Sequence, residues 1–173
     1  MNFRKAKKPD MDAVNLLVSI LVCYPEIGTV SYEPKDETLH FSFTLQGMLT
    51  PETFRKTAQY LEESILTYHG LEGFSGARIN FTLEGQGNTA FFYIDRDVET
   101  LSRGEINLIA NLMRELFEKL LLSEQEEKND LYEEEEMLRE EAIDHMIGSL
   151  KVSRIHERMI GVREGGRVMV FNK

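Results

Sequence analysis

One order of elements recurs along this chain, an apolar helix followed by two strands whose residues alternate apolar and polar. Residues 11–47 and 50–95 both read this way, and a further helix with a Gly-Gly hairpin fills 131–172. Strands joined by short turns pair antiparallel, and a helix with one apolar stripe must bury it on the sheet. The expected fold is therefore α+β. Two helix–strand–strand units form an antiparallel sheet with helices on one face, and a C-terminal helix and β-hairpin follow. The spacing divides the chain into an α+β core over 1–123 and an appendage over 124–173, the acidic helix and its hairpin.

The first helix is capped by Asp10 or Asp12 and ends before Pro25. Val14, Leu17, Val18, Leu21 and Val22 make one stripe, and Leu16 and Ile20 widen it. A helix apolar over most of its circumference needs the sheet beneath it and something above it. The strands at 28–32 and 38–46 follow, and Leu39, Phe41, Phe43 and Leu45 set a period of two that leaves His40 on the wet face. Thr50 and Pro51 open the second helix, which Gly70 and Gly73 end. His69 falls in its last turn, where a cation suits the helix dipole. The next hairpin pairs 77–84 with 89–95 around Gly85-Gln86-Gly87-Asn88. Its second strand, Ala90 to Ile94, is apolar on both faces and so predicts cover on both, from a later segment or a second copy of the chain. Ser102 and Glu105 begin a third helix in capping-box spacing, with an apolar stripe running to Leu122. In the last hairpin Gly165-Gly166 sets Glu164 opposite Arg167, Val162 opposite Met169 and Ile160 opposite Phe171. A hairpin of two strands is marginal in water, so it must dock on the main body or on a neighbouring subunit.

Charge is unevenly placed. Ten acids and two bases lie between Glu124 and Glu141, which carries most of the net −10, while residues 1–8 and 151–173 are each basic. The acidic run reads as a solvated helix face or a flexible linker, and the sharper reading is a strip that docks against the basic C-terminus, in the same chain or in a partner. An acidic balance opposes nucleic-acid binding by the whole molecule, because phosphate contacts need cations. A local basic patch of Arg154, Arg158, Arg163 and Arg167 remains as the candidate contact for RNA or a partner.

The chemistry-bearing residues form no recognised motif. The lone Cys23 sits in an apolar stretch and reads as a small buried hydrophobe. Asp95, Asp97 and Glu99 have the i, i+2 spacing of a divalent-metal site, and they equally suit the start of a helix. His145 and His156, beside Asp144 and Glu157, could be ligands or an acid–base pair. The Gly-x-Gly at 85–87 lies between strands, with no helix N-terminus behind it to hold a phosphate. No cofactor is expected. The basic N-terminus lacks a signal-peptide cleavage site, and no apolar run approaches the roughly 20 residues of a membrane span. The expectation is a cytoplasmic, non-catalytic interaction or regulatory protein that self-associates, a dimer before other oligomers. RNA or ribosome binding through the C-terminal hairpin is the first alternative, and a small metal-dependent enzyme the second.

Overall fold

The computed structural model describes residues 11–123, 130–152 and 155–172, and the side chains of residues 130–138 are not among those described. In chain order the elements are α1 (Met11–Cys23), β1 (Thr29–Glu33), β2 (Thr38–Gln46), α2 (Pro51–Glu72), β3 (Ile79–Gln86), β4 (Thr89–Asp97), a single 3-10 turn (Val98–Thr100), α3 (Arg103–Leu116), α4 (Asp130–Val152), β5 (Met159–Glu164) and β6 (Arg167–Asn172). The strands form one antiparallel sheet of six in the order β3-β4-β2-β1-β5-β6. The fold is α+β, as the recurring unit predicts. Among the described residues no helix is long and apolar enough to cross a membrane.

Each hairpin takes the register its turn dictates. Gly165 and Gly166 both have positive φ, 56° and 76°, which makes the two-residue turn that matches strand twist. It sets Glu164 opposite Arg167 and Ile160 opposite Phe171. In the β3–β4 hairpin the turn is tighter than the sequence suggests: Gln86 pairs with Thr89, leaving only Gly87 and Asn88 between the strands. β2 and β4 lie side by side at the centre, with Phe41 opposite Ile94 and Phe43 opposite Phe92. Leu39, Phe41, Phe43, Leu45, Ala90, Phe92 and Ile94 are all buried, and they floor the core.

The helices pack on that one face. Phe54 of α2 meets Phe92 edge-on at 5.3 Å, and Phe117, just past α3, meets the same ring at 6.2 Å. α1 lies over β1, β5 and β6. It can come close because β5 offers a glycine: a Cβ on Gly161 would stand 3.0 Å from Leu21 Cδ1. The cover that so apolar a helix requires is α4, whose Ile143, Met146, Ile147 and Leu150 are buried against the core with Leu16 and Ile20. Arg103 at the start of α3 ties α4 down, with its backbone N–H on Asp144 Oδ1 at 2.9 Å and its guanidinium facing Asp144 and Glu140.

Two helix ends are corrected. α2 runs through Gly70 and stops at Gly73, which takes the left-handed conformation with φ 79°. α3 stops at Leu116, short of Leu122. β2 extends past the start of β1, so its last backbone groups need a partner. The segment after α3 supplies one: Gln46 N–H donates to Leu120 O at 2.8 Å, and Leu122 N–H to Thr44 O at 2.9 Å. Among the described residues no later segment of the chain covers the second face of β4, where Phe91 and Tyr93 stay half-buried and stack on each other at 6.5 Å. Of the two hosts open to the C-terminal hairpin, it takes the main body of its own chain, β5 pairing with β1 from Thr29↔Val162 to Tyr32↔Met159.

Candidate interaction site

The face turned away from the helices is built by strand alternation, so its residues can be taken row by row. One row crosses the sheet as Asn80, Asp95, His40, Ser31, Ile160 and Phe171. The next runs Thr82, Tyr93, Ser42, Thr29, Val162 and Met169. The face is thus polar in the middle, aromatic on β4 and apolar at the β5–β6 corner.

The polar middle is internally bonded. His40 Nδ1 meets Asp95 Oδ1 at 2.6 Å, and Asn80 Nδ2 donates to Asp95 Oδ2 at 3.3 Å. The hydrogen bond to Asp95 raises the His40 pKa above its ordinary value. Burial opposes that shift, while the charges of Asp95, Glu33 and Asp36 reinforce it. Ser42 bonds Thr29 through both the Thr29 N–H, at 3.0 Å, and its hydroxyl, at 2.6 Å. A depression of about 250 Å³ opens beside this row, lined by Asp36, Thr38, His40, Arg78, Asn80 and Asp95. Its chemistry is that of an imidazole held by a carboxylate, able to exchange a proton at Nε2. Ser31 stands beside His40 in register, and no hydrogen bond joins the two among the described residues.

On the opposite, buried side lies a charge cluster that the sequence reading missed. Arg96 is completely buried. Its guanidinium donates to Glu105 Oε2 at 2.6 Å and Oε1 at 2.7 Å, to the Thr100 hydroxyl at 3.0 Å and to the Asp97 carboxylate. Glu105 also bonds the buried His69. Burial alone would raise the Asp97 pKa. The Arg78 N–H, the Thr100 side chain and the Arg96 charge outweigh it and hold the carboxyl below its ordinary range. The cluster joins α2, β4, the 3-10 turn and α3, and its role is to lock them together. A signal for it exists in the sequence. Ala90, Phe92, Ile94 and Arg96 share one face of β4, and a cation in an inward register position needs a carboxylate.

The sequence candidates fall in different places. Asp95 belongs to the His40 pair, and Asp97 caps the 3-10 turn through Thr100 N–H at 3.1 Å and Thr100 Oγ1 at 2.8 Å. Glu99 is exposed, and among the described residues no three His, Cys, Asp or Glu side chains group to hold a metal. His145 is exposed on α4, and His156 is exposed on the segment before β5. Cys23 is buried. Of the four arginines, Arg154 lies outside the described residues. Arg158 pairs with Glu33 at 2.6 Å. Arg163 turns onto the main body and donates to Leu21 O, to Pro25 O at 3.1 Å and to Ile27 O at 2.7 Å, so it caps the end of α1. Arg167 is exposed at the start of β6.

No protein-family model matches the chain, and no curated protein or solved structure matches it either.

Proposed function

We propose that the protein is a non-catalytic interaction module that self-associates, with a regulatory rather than a chemical role. The observation that carries this reading is the apolar corner of the open sheet face. Ile160, Val162 and Met169 are half-buried there and Phe171 is half exposed, at the end of a sheet whose other face carries the helices. Apolar groups gathered at one place on a surface mark a contact site, because water is driven from them when a partner docks. Static light scattering of the intact chain tests it. The expected mass is twice the 20.0 kDa of one chain, falling toward one chain on dilution. A mass of one chain at every concentration reached ends the proposal.

RNA binding is less well supported. Arg158 and Arg163 would have to leave Glu33 and the α1 carbonyls, and the open face itself presents Glu84 and Asp95 toward any phosphate.

A further inference from the structure

We propose that β6 is the self-association edge, and that it pairs antiparallel with β6 of a second copy across a two-fold axis centred on Met169. This rests on the self-association reading above and says where the contact is made.

β6 is the last strand of the sheet, with β5 on one side and, among the described residues, no strand on the other. The pair flanking a two-residue turn, here Glu164 and Arg167, exchanges both backbone hydrogen bonds. Alternation from that pair turns the N–H and C=O of Val168 and Val170 outward. A hydrophobic edge with free, outward amides is a template for another strand.

The strand is complementary to itself. Val168-Met169-Val170 is symmetric about Met169, with Arg167 and Phe171 on either side. With Met169 opposite Met169 of the second copy, Val168 and Val170 face each other on the helix side of the sheet. Their outward amides make four hydrogen bonds across the axis. On the open side each Arg167 meets the other copy's Phe171, a cation against an aromatic face. Met169 and Phe171 of both copies then form one continuous apolar strip. The opposite edge is less suited: β3 carries Glu84 next to Gly85 and exposes its last three residues.

The layer above adds area at the same junction. α1 is the helix that packs on β6. Among the described residues it leaves Met11 60% and Val22 42% exposed, with Val14 and Val18 part-buried between them. Joining two β6 edges brings two α1 helices to the axis, so these side chains can close on each other. Edge pairing alone is small against the roughly 1,200 Å² or more of a stable interface, and the helices supply the remainder.

Cysteine cross-linking of the full-length chain tests the axis. Met169→Cys places two thiols opposite each other with β-carbons about 4.5 Å apart, close enough for a disulfide. Mild oxidation should convert most of this variant to a covalent dimer. The parent chain, whose only thiol is the buried Cys23, should not cross-link. Phe171→Cys alone should not cross-link either, and mixed with Arg167→Cys it should give a heterodimer. If light scattering shows a dimer and Met169→Cys stays uncross-linked, the edge assignment is overturned while self-association stands. If the chain is monomeric, both fall.

Discussion

Arg96 decides more than any other single residue. It is completely buried, it bonds two carboxylates, and it stands at a strand position whose neighbours on the same face are Ala90, Phe92 and Ile94. Removing one partner of a buried charge network leaves the others desolvated and unpaired. Arg96→Met should therefore lower unfolding free energy by about 3–5 kcal/mol, read from denaturant midpoints. His40 gives a smaller effect of opposite exposure. Its pKa is raised mainly by the bond to Asp95. A raised histidine stabilises the fold below its unfolded value, near 6.5, and that contribution fades as pH climbs through the folded value. His40→Gln should accordingly destabilise the chain more at about pH 5.5 than at about pH 8.5, measured by denaturant titration at both. The sequence showed His40 on the wet face of β2 but not its pairing. Asp95 lies fifty-five positions away, and only the β2–β4 register brings it alongside. Likewise Glu105 has capping-box spacing from Ser102, yet its carboxylate bonds Arg96 and His69.

At the scale of elements, alternation and turn chemistry were good guides, and helix ends were not. β2, β4 and the last hairpin follow from a period of two and from glycine pairs. α3 ends early because the exposed end of β2 needs backbone partners, a demand no local propensity contains. The seating of α1 depends on Gly161, whose ideal Cβ would lie 3.0 Å from Leu21 Cδ1, 3.4 Å from Leu17 Cβ and 3.5 Å from Val30 Cγ1. Gly161→Val should lift α1 from the sheet and lower stability by about 1–3 kcal/mol, with a matching fall in the thermal midpoint.

At the scale of the whole molecule, the six strands and four helices among the described residues leave one sheet face without a helix and the apolar β6 edge without a strand partner. The light-scattering experiment carries a further signature at this scale. Each chain has a formal charge of −10, so two copies repel, and salt screens that repulsion beyond a Debye length of about 10 Å at 0.1 M. If apolar edges hold the dimer, added salt should strengthen it. Contacts through cations on acidic or phosphate groups would weaken instead.

The sequence by itself determined the elements, their antiparallel turns and the α+β class, because periodicity, caps and glycine turns act over a few residues. It also marked α1 as a helix needing cover from above. Only the tertiary structure decided that α4 provides that cover, that the C-terminal hairpin completes its own chain's sheet, and that Arg163 caps α1 rather than facing solvent. Those outcomes depend on which surfaces meet across more than a hundred residues. They are settled by where buried apolar area and unpaired carbonyls find partners together, which no local pattern encodes.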